Sequence, residues 1–240
     1  MIRYYPAGDS AIIIKAGNEI SMEVNRKVRD IYSALVNAKI PGVVDFIQSY
    51  SELMVIHDPS IAGYKELIEN IKLFEEYIGS AEPEPGLVYE VPVLYGGEPG
   101  PDLDEVAKQT GMKKEDVVSL HTGKLYLVYM LGFTPGFCYL GGLDERIATP
   151  RKSEPRLKVP EGSVGIASVQ TGIYSLESPG GWQIIGRTPL RLFNPLRKPE
   201  FLFKAGDRIR FSQVTREEYV VIDDEVRNGK FNLKILSKNE

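Results

Sequence analysis

Apolar and polar positions follow two rhythms along this chain, and the rhythm changes near residue 85. In the first part, Ala11-Ile12-Ile13-Ile14 is a short apolar run after the turn-forming Gly8-Asp9 and predicts a strand. Val24, Val28, Ile31 and Leu35 recur at spacings of 4, 3 and 4. That spacing lines one face of a helix, with Arg26, Lys27, Arg29 and Asp30 on the others, and Pro41-Gly42 stops it. Val43–Ile47 and Leu53–Ile56 predict paired strands with a turn near Ser49–Glu52, and Tyr64, Leu67, Ile68, Ile71 and Ile78 mark a second amphipathic helix. The order β-α-β-β-α predicts an α+β domain over residues 1–85. It becomes a ferredoxin-like split unit if Val88–Pro92 or the N-terminus supplies one more strand.

Gly79–Gly86 has linker composition. Beyond it the pattern turns to short strands: Val88–Leu94, Leu125–Leu131, Ser163–Val169, Gly172–Tyr174, Gln183–Ile185, Leu190–Phe193 and Arg208–Phe211. Only two short helices interrupt them. One starts at Asp102, an N-cap with Glu105 three residues on, and ends at Gly111; the other covers Lys114–Leu120. Frequent Gly, Pro and Ser turns between short strands predict a β-barrel or sandwich over residues 86–240.

Composition narrows the class. A chain of 240 residues with 42% hydrophobic and 26% charged side chains suits one large or two small globular domains. It holds no apolar run long enough to span a bilayer, and its start lacks a signal-peptide layout, so the expected location is cytoplasmic. One cysteine, Cys138, and two histidines, His57 and His121, argue against a zinc site of the usual Cys/His kind and leave a carboxylate-based metal site open. Charge is unevenly spread. Residues 1–86 carry 8 basic against 13 acidic side chains, whereas residues 146–210 carry 12 against 5. That basic stretch is either a solvated face or an anion-binding surface. With a pI near 5.5 and no nucleic-acid motif, nucleic acid is not the expected partner.

Three stretches carry candidate chemistry. Gly132–Gly142 packs four glycines, one proline and three aromatics into eleven residues, either a ligand-approaching loop or a bent core segment; Phe133, Gly136 and Phe137 are its candidate contacts. Pro150–Pro160 has three prolines that hold the chain extended, so that Arg156 projects from a stiff ribbon with a fork suited to carboxylate or phosphate. Gly165–Tyr174 alternates like one strand and places Gln170 with its same-parity neighbours. Ser178-Pro179-Gly180-Gly181 reads as a type II turn, with Trp182 opening the returning strand. That tryptophan is either a core anchor or the wall of a binding cleft. Neither a phosphate-binding P-loop nor a G-x-S-x-G elbow occurs. His121 is an acid–base candidate by residue type and equally a helix C-terminal residue; Cys138 has no activating neighbour in sequence.

These residues resemble a known family. "PVLYGGEPGPDLDEVAKQTG", "HTGKLYLVYMLGFTPGFCYLGGL", "PRKSEPRLKVPEGSVGIASVQTGIYSLESPGGWQIIGRTPLRLF" and "AGDRIRF" cover residues 92–211 almost continuously, with "GDSAIIIKAG" near the start. Together they are similar to the family of 5-oxoprolinase B subunits, also called kinase A inhibitor-like or allophanate hydrolase subunit 1-like. The resemblance implies an α+β N-terminal domain and a cyclophilin-like β-barrel. It implies partner subunits A and C and ATP-driven opening of 5-oxo-L-proline to L-glutamate, with ATP bound through the assembled complex. It also implies an alternative role as inhibitor of a histidine kinase. The site it suggests for a small anionic substrate comprises Phe133, Gly136, Phe137, Arg156, Gln170, Thr171, Tyr174, Trp182, Gln183 and Arg187, with His121 as the acid–base candidate. Cys138 and Ser175 stand where many relatives are expected to have proline, and Ser168 where glycine is expected.

Overall fold

The computed structural model describes residues 2–74 and 86–236. It divides into two compact units, Met1–Pro85 and Gly86–Glu240. The predicted linker, except Gly86, and Ile78 lie outside the described residues.

The first unit is a four-stranded antiparallel sheet with two helices. Its strands are β1 (Arg3–Pro6), β2 (Ala11–Lys15), β3 (Val43–Gln48) and β4 (Glu52–His57), in the order β1-β2-β4-β3. Helix α1 (Met22–Ala38) links β2 to β3, with β4 inserted between them, and α2 (Tyr64–Lys72) follows β4. The N-terminus thus supplies the extra strand, and Val88 onward does not. Helix α1 begins where Ser21 accepts a bond from the Val24 N–H, and ends at Lys39 in the left-handed region. Val24, Val28, Ile31 and Leu35 are all buried against Ile12, Ile14, Leu53, Val55, Leu67 and Ile71. Spacing in the sequence and burial in the fold therefore agree.

The second unit is a closed seven-stranded barrel. Its strands are β5 (Val88–Tyr95), β6 (Leu125–Leu131), β7 (Cys138–Gly141), β9 (Ser163–Ala167), β10 (Gln170–Ile173), β12 (Gln183–Arg187) and β13 (Arg208–Gln213). They run β12-β9-β10-β7-β6-β13-β5, and Gly186 and Arg187 pair with Tyr95 and Leu94 to close the circle. Closure removes the exposed edges that an open sheet would carry. A separate two-stranded ribbon joins β8 (Arg156–Val159) to β11 (Ser178–Gly180). Helices α3 (Leu103–Thr110) and α4 (Lys114–Thr122) bury Leu103, Val106, Val117 and Val118 with the barrel core of Val91, Val93, Tyr126, Leu140, Ile166 and Phe211. Helix α5 (Arg216–Arg227) and the short β14 (Ile235–Leu236), paired with β5, complete the unit.

Four readings of the sequence need correction, and one helix is added. Gly165–Tyr174 is a hairpin: Ala167 pairs with Gln170, and Ser168 turns the chain with φ 53°. Side-chain parity therefore breaks at the turn, and the glycine expected at 168 falls at a position glycine favours. Ser178–Gly181 is not a type II turn: Ser178 pairs with Val159 and Gly180 with Arg156, and neither Gly180 nor Gly181 has positive φ. Leu190–Phe193 forms no strand and joins only through a bridge between Phe193 and Phe201. Asp102 makes no side-chain cap, because its carboxylate is committed elsewhere. Helix α5 is an addition to the sequence reading, although Thr215 and Glu218 form a capping box readable from their spacing.

Candidate functional site

The alternation along β9 and β10 builds the first layer of the site. Val164, Ile166, Thr171 and Ile173 are buried, the three aliphatic ones in the barrel core. Gly165 and Gly172 leave room for aromatics instead. A Cβ on Gly172 would sit 3.1 Å from Trp182 Cζ3 and 3.3 Å from Phe137 Cε1, and one on Gly165 3.1 Å from Trp182 Cβ. On this small-residue floor Phe137 is the hub of an aromatic cluster. Its ring centroid lies 4.5 Å from Tyr139, 4.9 Å from Tyr174 and 5.5 Å from Trp182. Edge-on pairs of this kind add to the burial energy of the rings. Trp182 is only 5% exposed, and the Arg151 guanidinium lies 5.9 Å from its ring centroid. Burial pushes the Tyr174 phenol up to about 12, so it stays protonated. Phe133 is exposed, its ring 5.8 Å from Phe137, in a turn where Gly136 has φ 78°. Ser175, at an expected proline position, donates to the Pro135 carbonyl at 2.7 Å and so ties that turn down.

Beside this cluster lies a small, partly open cleft lined by Glu98, Pro99, Pro101, Val159, Ser163 and Ile184 together with Arg156 and Arg187. Val159 and Ile184 belong to both, so the aromatics support the cleft from behind. Arg187 donates through Nε to the Glu161 carbonyl at 2.8 Å. Arg156 donates through Nη2 to Asp102 Oδ1 at 2.6 Å, while its buried Nη1 has no partner. Asp102, 4% exposed, also accepts from Lys152 Nζ at 3.1 Å and from the Ile184 N–H at 2.7 Å. Burial pulls the Asp102 pKa upward; the bonds from Arg156, Ile184 and Lys152, together with the Arg156 charge, outweigh it and hold the carboxyl below its usual range. An ionised carboxylate therefore clamps both cations.

His121 lies elsewhere, fully buried in the barrel interior. Its Nδ1 is 2.7 Å from Tyr95 Oη and its Nε2 2.9 Å from Thr171 Oγ1. Thr171 gives its own proton to the Gly165 carbonyl at 2.9 Å, so it accepts from Nε2–H, and Tyr95 donates to Nδ1. The bond directions define a neutral imidazole, and burial pushes its pKa down to about 3. Both ring nitrogens are hydrogen-bonded within the core, and His121 is not among the residues lining the cleft. Burial likewise raises the Cys138 thiol, with Asp207 adding to the effect.

Of the residues singled out in the sequence, the fold brings Arg156 and Arg187 into one cleft and Phe137, Tyr174 and Trp182 into the cluster behind it. Thr171 and His121 are joined inside the barrel instead. Gln183 is buried and donates to the Pro150 carbonyl at 3.1 Å; its Oε1 and the Gln170 Nε2 are buried without partners. Sequence reasoning missed Asp102, Lys152, Glu98 and Ser163. No linear pattern joins Asp102 to Arg156 across 54 positions, although one acidic residue facing a basic ribbon was a signal. Among the described residues, no group of three or more His, Cys, Asp or Glu side chains is gathered as if for a metal ion.

This combination of barrel, ribbon and N-terminal α+β unit has known counterparts. The sequence pattern of the carboxyltransferase domain, subdomain C and D, matches residues 2–203, and the chain belongs to that family. Within it, the chain is 42% identical over 229 residues to the B subunit of 5-oxoprolinase from Bacillus subtilis (strain 168), covering 91% of this chain and 95% of that protein. The crystal structure of TTHA0988 superposes with a TM-score of 0.76 at 37% identity over 90% of this chain, which spans only 40% of that one. The Kluyveromyces lactis urea amidolyase shares the fold, with a TM-score of 0.83 at 22% identity over 98% of this chain, and there the matched region is 16% of the whole.

Proposed function

We propose that this chain is the B subunit of an ATP-dependent 5-oxoprolinase which, with partner subunits A and C, hydrolyses 5-oxo-L-proline to L-glutamate. The observation that carries the reading is the 42% identity to a protein of that name over 95% of its length. That the matched region is a minor part of TTHA0988 and of urea amidolyase supports action alongside further domains. On this reading the first unit is ferredoxin-like, with its outer strand drawn from the N-terminus, and the barrel is cyclophilin-like. The domain boundary falls at residues 85 and 86, and the complex works in the cytoplasm.

The substrate is a stable lactam that carries a carboxylate. Opening it with water requires activation of the ring carbonyl, which ATP supplies in the assembled complex, and it passes through an oxyanion that needs donors. Arg156 and Arg187 hold the carboxylate. Gln170 and Gln183 are proposed for the ring amide, although their partnerless Nε2 and Oε1 are buried and neither residue lines the cleft as it stands. Phe137, Tyr174 and Trp182 keep the wall rigid, while Phe133 and Gly136 shape its rim. Thr171 and His121 hold the barrel beneath the site. The test is to purify the chain alone and with its two partner subunits and to follow 5-oxoproline-dependent ADP release. Activity is expected only from the assembly; full activity from the lone chain overturns the subunit reading. In the assembly, Arg156→Gln is expected to raise KM for 5-oxo-L-proline by about tenfold or more, the usual scale for a lost charge-assisted contact.

A further inference from the structure

Asp102 carries the strongest unassigned chemistry in the molecule. One buried carboxylate joins three separate segments: the start of α3, the basic ribbon at Lys152 and Arg156, and β12 at Ile184. The backbone repeats the connection, since the Asp102 N–H donates to the Ile184 carbonyl at 2.8 Å. Gly100 lets that loop approach, because a Cβ there would come within 2.6 Å of the Gly96 nitrogen and overlap Ile185. The carboxylate fills one prong of the Arg156 fork and leaves the other, the buried Nη1, without a protein acceptor. A buried donor without a partner is costly unless something else satisfies it.

We infer that Asp102 is a positioning residue: by fixing Nη2 it holds the Arg156 guanidinium so that Nη1 is kept for an oxygen of the anion bound in the cleft. This deepens, and rests on, the assignment of the cleft as the substrate site. The sign of the expected effect is unusual. Simple electrostatics says that removing a negative charge beside an anion site tightens anion binding. Positioning says the opposite, because an unclamped guanidinium loses the geometry that makes its contact strong.

Asp102→Asn keeps an acceptor for the Ile184 N–H and nearly the same shape. In the assembled enzyme it is expected to raise KM for 5-oxo-L-proline by about tenfold while kcat stays within about twofold. Asp102→Glu, which keeps the charge but moves it by one methylene, is expected to raise KM as well; it serves as the measurement should the Asn variant fail to fold. A lowered or unchanged KM in a folded Asp102 variant overturns the proposal. Phenylglyoxal labelling of the purified chain, read by peptide mass mapping, adds an arm that needs no turnover. Arg156 is expected to label severalfold faster in Asp102→Asn than in the wild type, and an equal rate overturns the clamp. If Arg156→Gln leaves KM unchanged, the cleft reading fails, and the labelling rate still decides whether Asp102 holds Arg156.

Discussion

Gly180 shows how a single side-chain position is set by contact. Its backbone needs no left-handed conformation, yet a Cβ there would overlap the Tyr174 hydroxyl and lie 2.8 Å from two carbons of its ring. Tyr174 cannot retreat, since it is 1% exposed and packed edge-on against Phe137. Gly180→Ala is therefore expected to cost about 1–3 kcal/mol, the range for overpacking a dense interior, measured as a lowered melting temperature. In a Tyr174→Phe background part of that loss is expected to return, because the nearest atom is gone while the ring remains. A full cost in that background refutes the contact.

His121 gives a residue-scale prediction in pH. Its folded-state pKa is depressed to about 3 by burial, from 6.5. Below 6.5 the unfolded chain takes up a proton that the folded chain refuses, so stability is full above that value and declines as pH falls toward 3. The slope reaches at most about 1.4 kcal/mol per pH unit. Thermal melts from about pH 7 to about pH 4 are expected to show a shallower decline in His121→Gln than in the wild type. Parallel curves for the two proteins count against a buried neutral imidazole.

Among the elements, α5 and the strands of the barrel lie at opposite ends of burial. No residue of α5 is buried, and the helix depends heavily on its capping box, in which Thr215 accepts from the Glu218 N–H and the Glu218 carboxylate accepts from the Thr215 N–H. Thr215→Ala is expected to weaken this helix by about 1 kcal/mol. Hydrogen exchange should speed up over Arg216–Arg227 while β6 and β9 keep their protection; uniform loss across the barrel would show the helix to be part of its cooperative core. The ribbon of β8 and β11 makes the complementary point. Pro155 and Pro160 flag extended chain, but its partner strand reads locally as a turn, since Pro-Gly-Gly is the usual composition of one. Tertiary pairing overrides the local signal.

For the whole molecule, the two units have separate cores, one around Ile31 and Leu53 and the other around Tyr126 and Phe211. Residues 86–240 expressed alone are expected to unfold in one cooperative transition with a β-rich circular dichroism spectrum. A fragment that is soluble only when residues 1–85 are present would contradict two independent cores. The charge asymmetry follows the same division, with the acidic excess in residues 1–86 and the basic excess in residues 146–210. The basic stretch from 146 to 210 contains the cations of the cleft, Arg156 and Arg187, but also Lys152, which the fold holds against Asp102.

Period and composition alone determined the helix faces, most strands of both units and the change of rhythm near residue 85, whereas β7 reads locally as a loop or bent segment. Each of the legible features depends on neighbours a few positions apart, and such neighbours are fixed by backbone geometry before any packing. Tertiary structure alone decided which way Trp182 faces and what Asp102 holds. Trp182 is a nearly buried member of the cluster behind the cleft, laid over Gly165 and Gly172, and is not among the residues lining it. Asp102, an N-cap by its local pattern, became the clamp on Arg156 because barrel closure brings α3, β12 and the ribbon together. Contacts across 54 and 82 positions leave no periodic trace, since ion pairs and close packing answer to distance in space and not to separation along the chain.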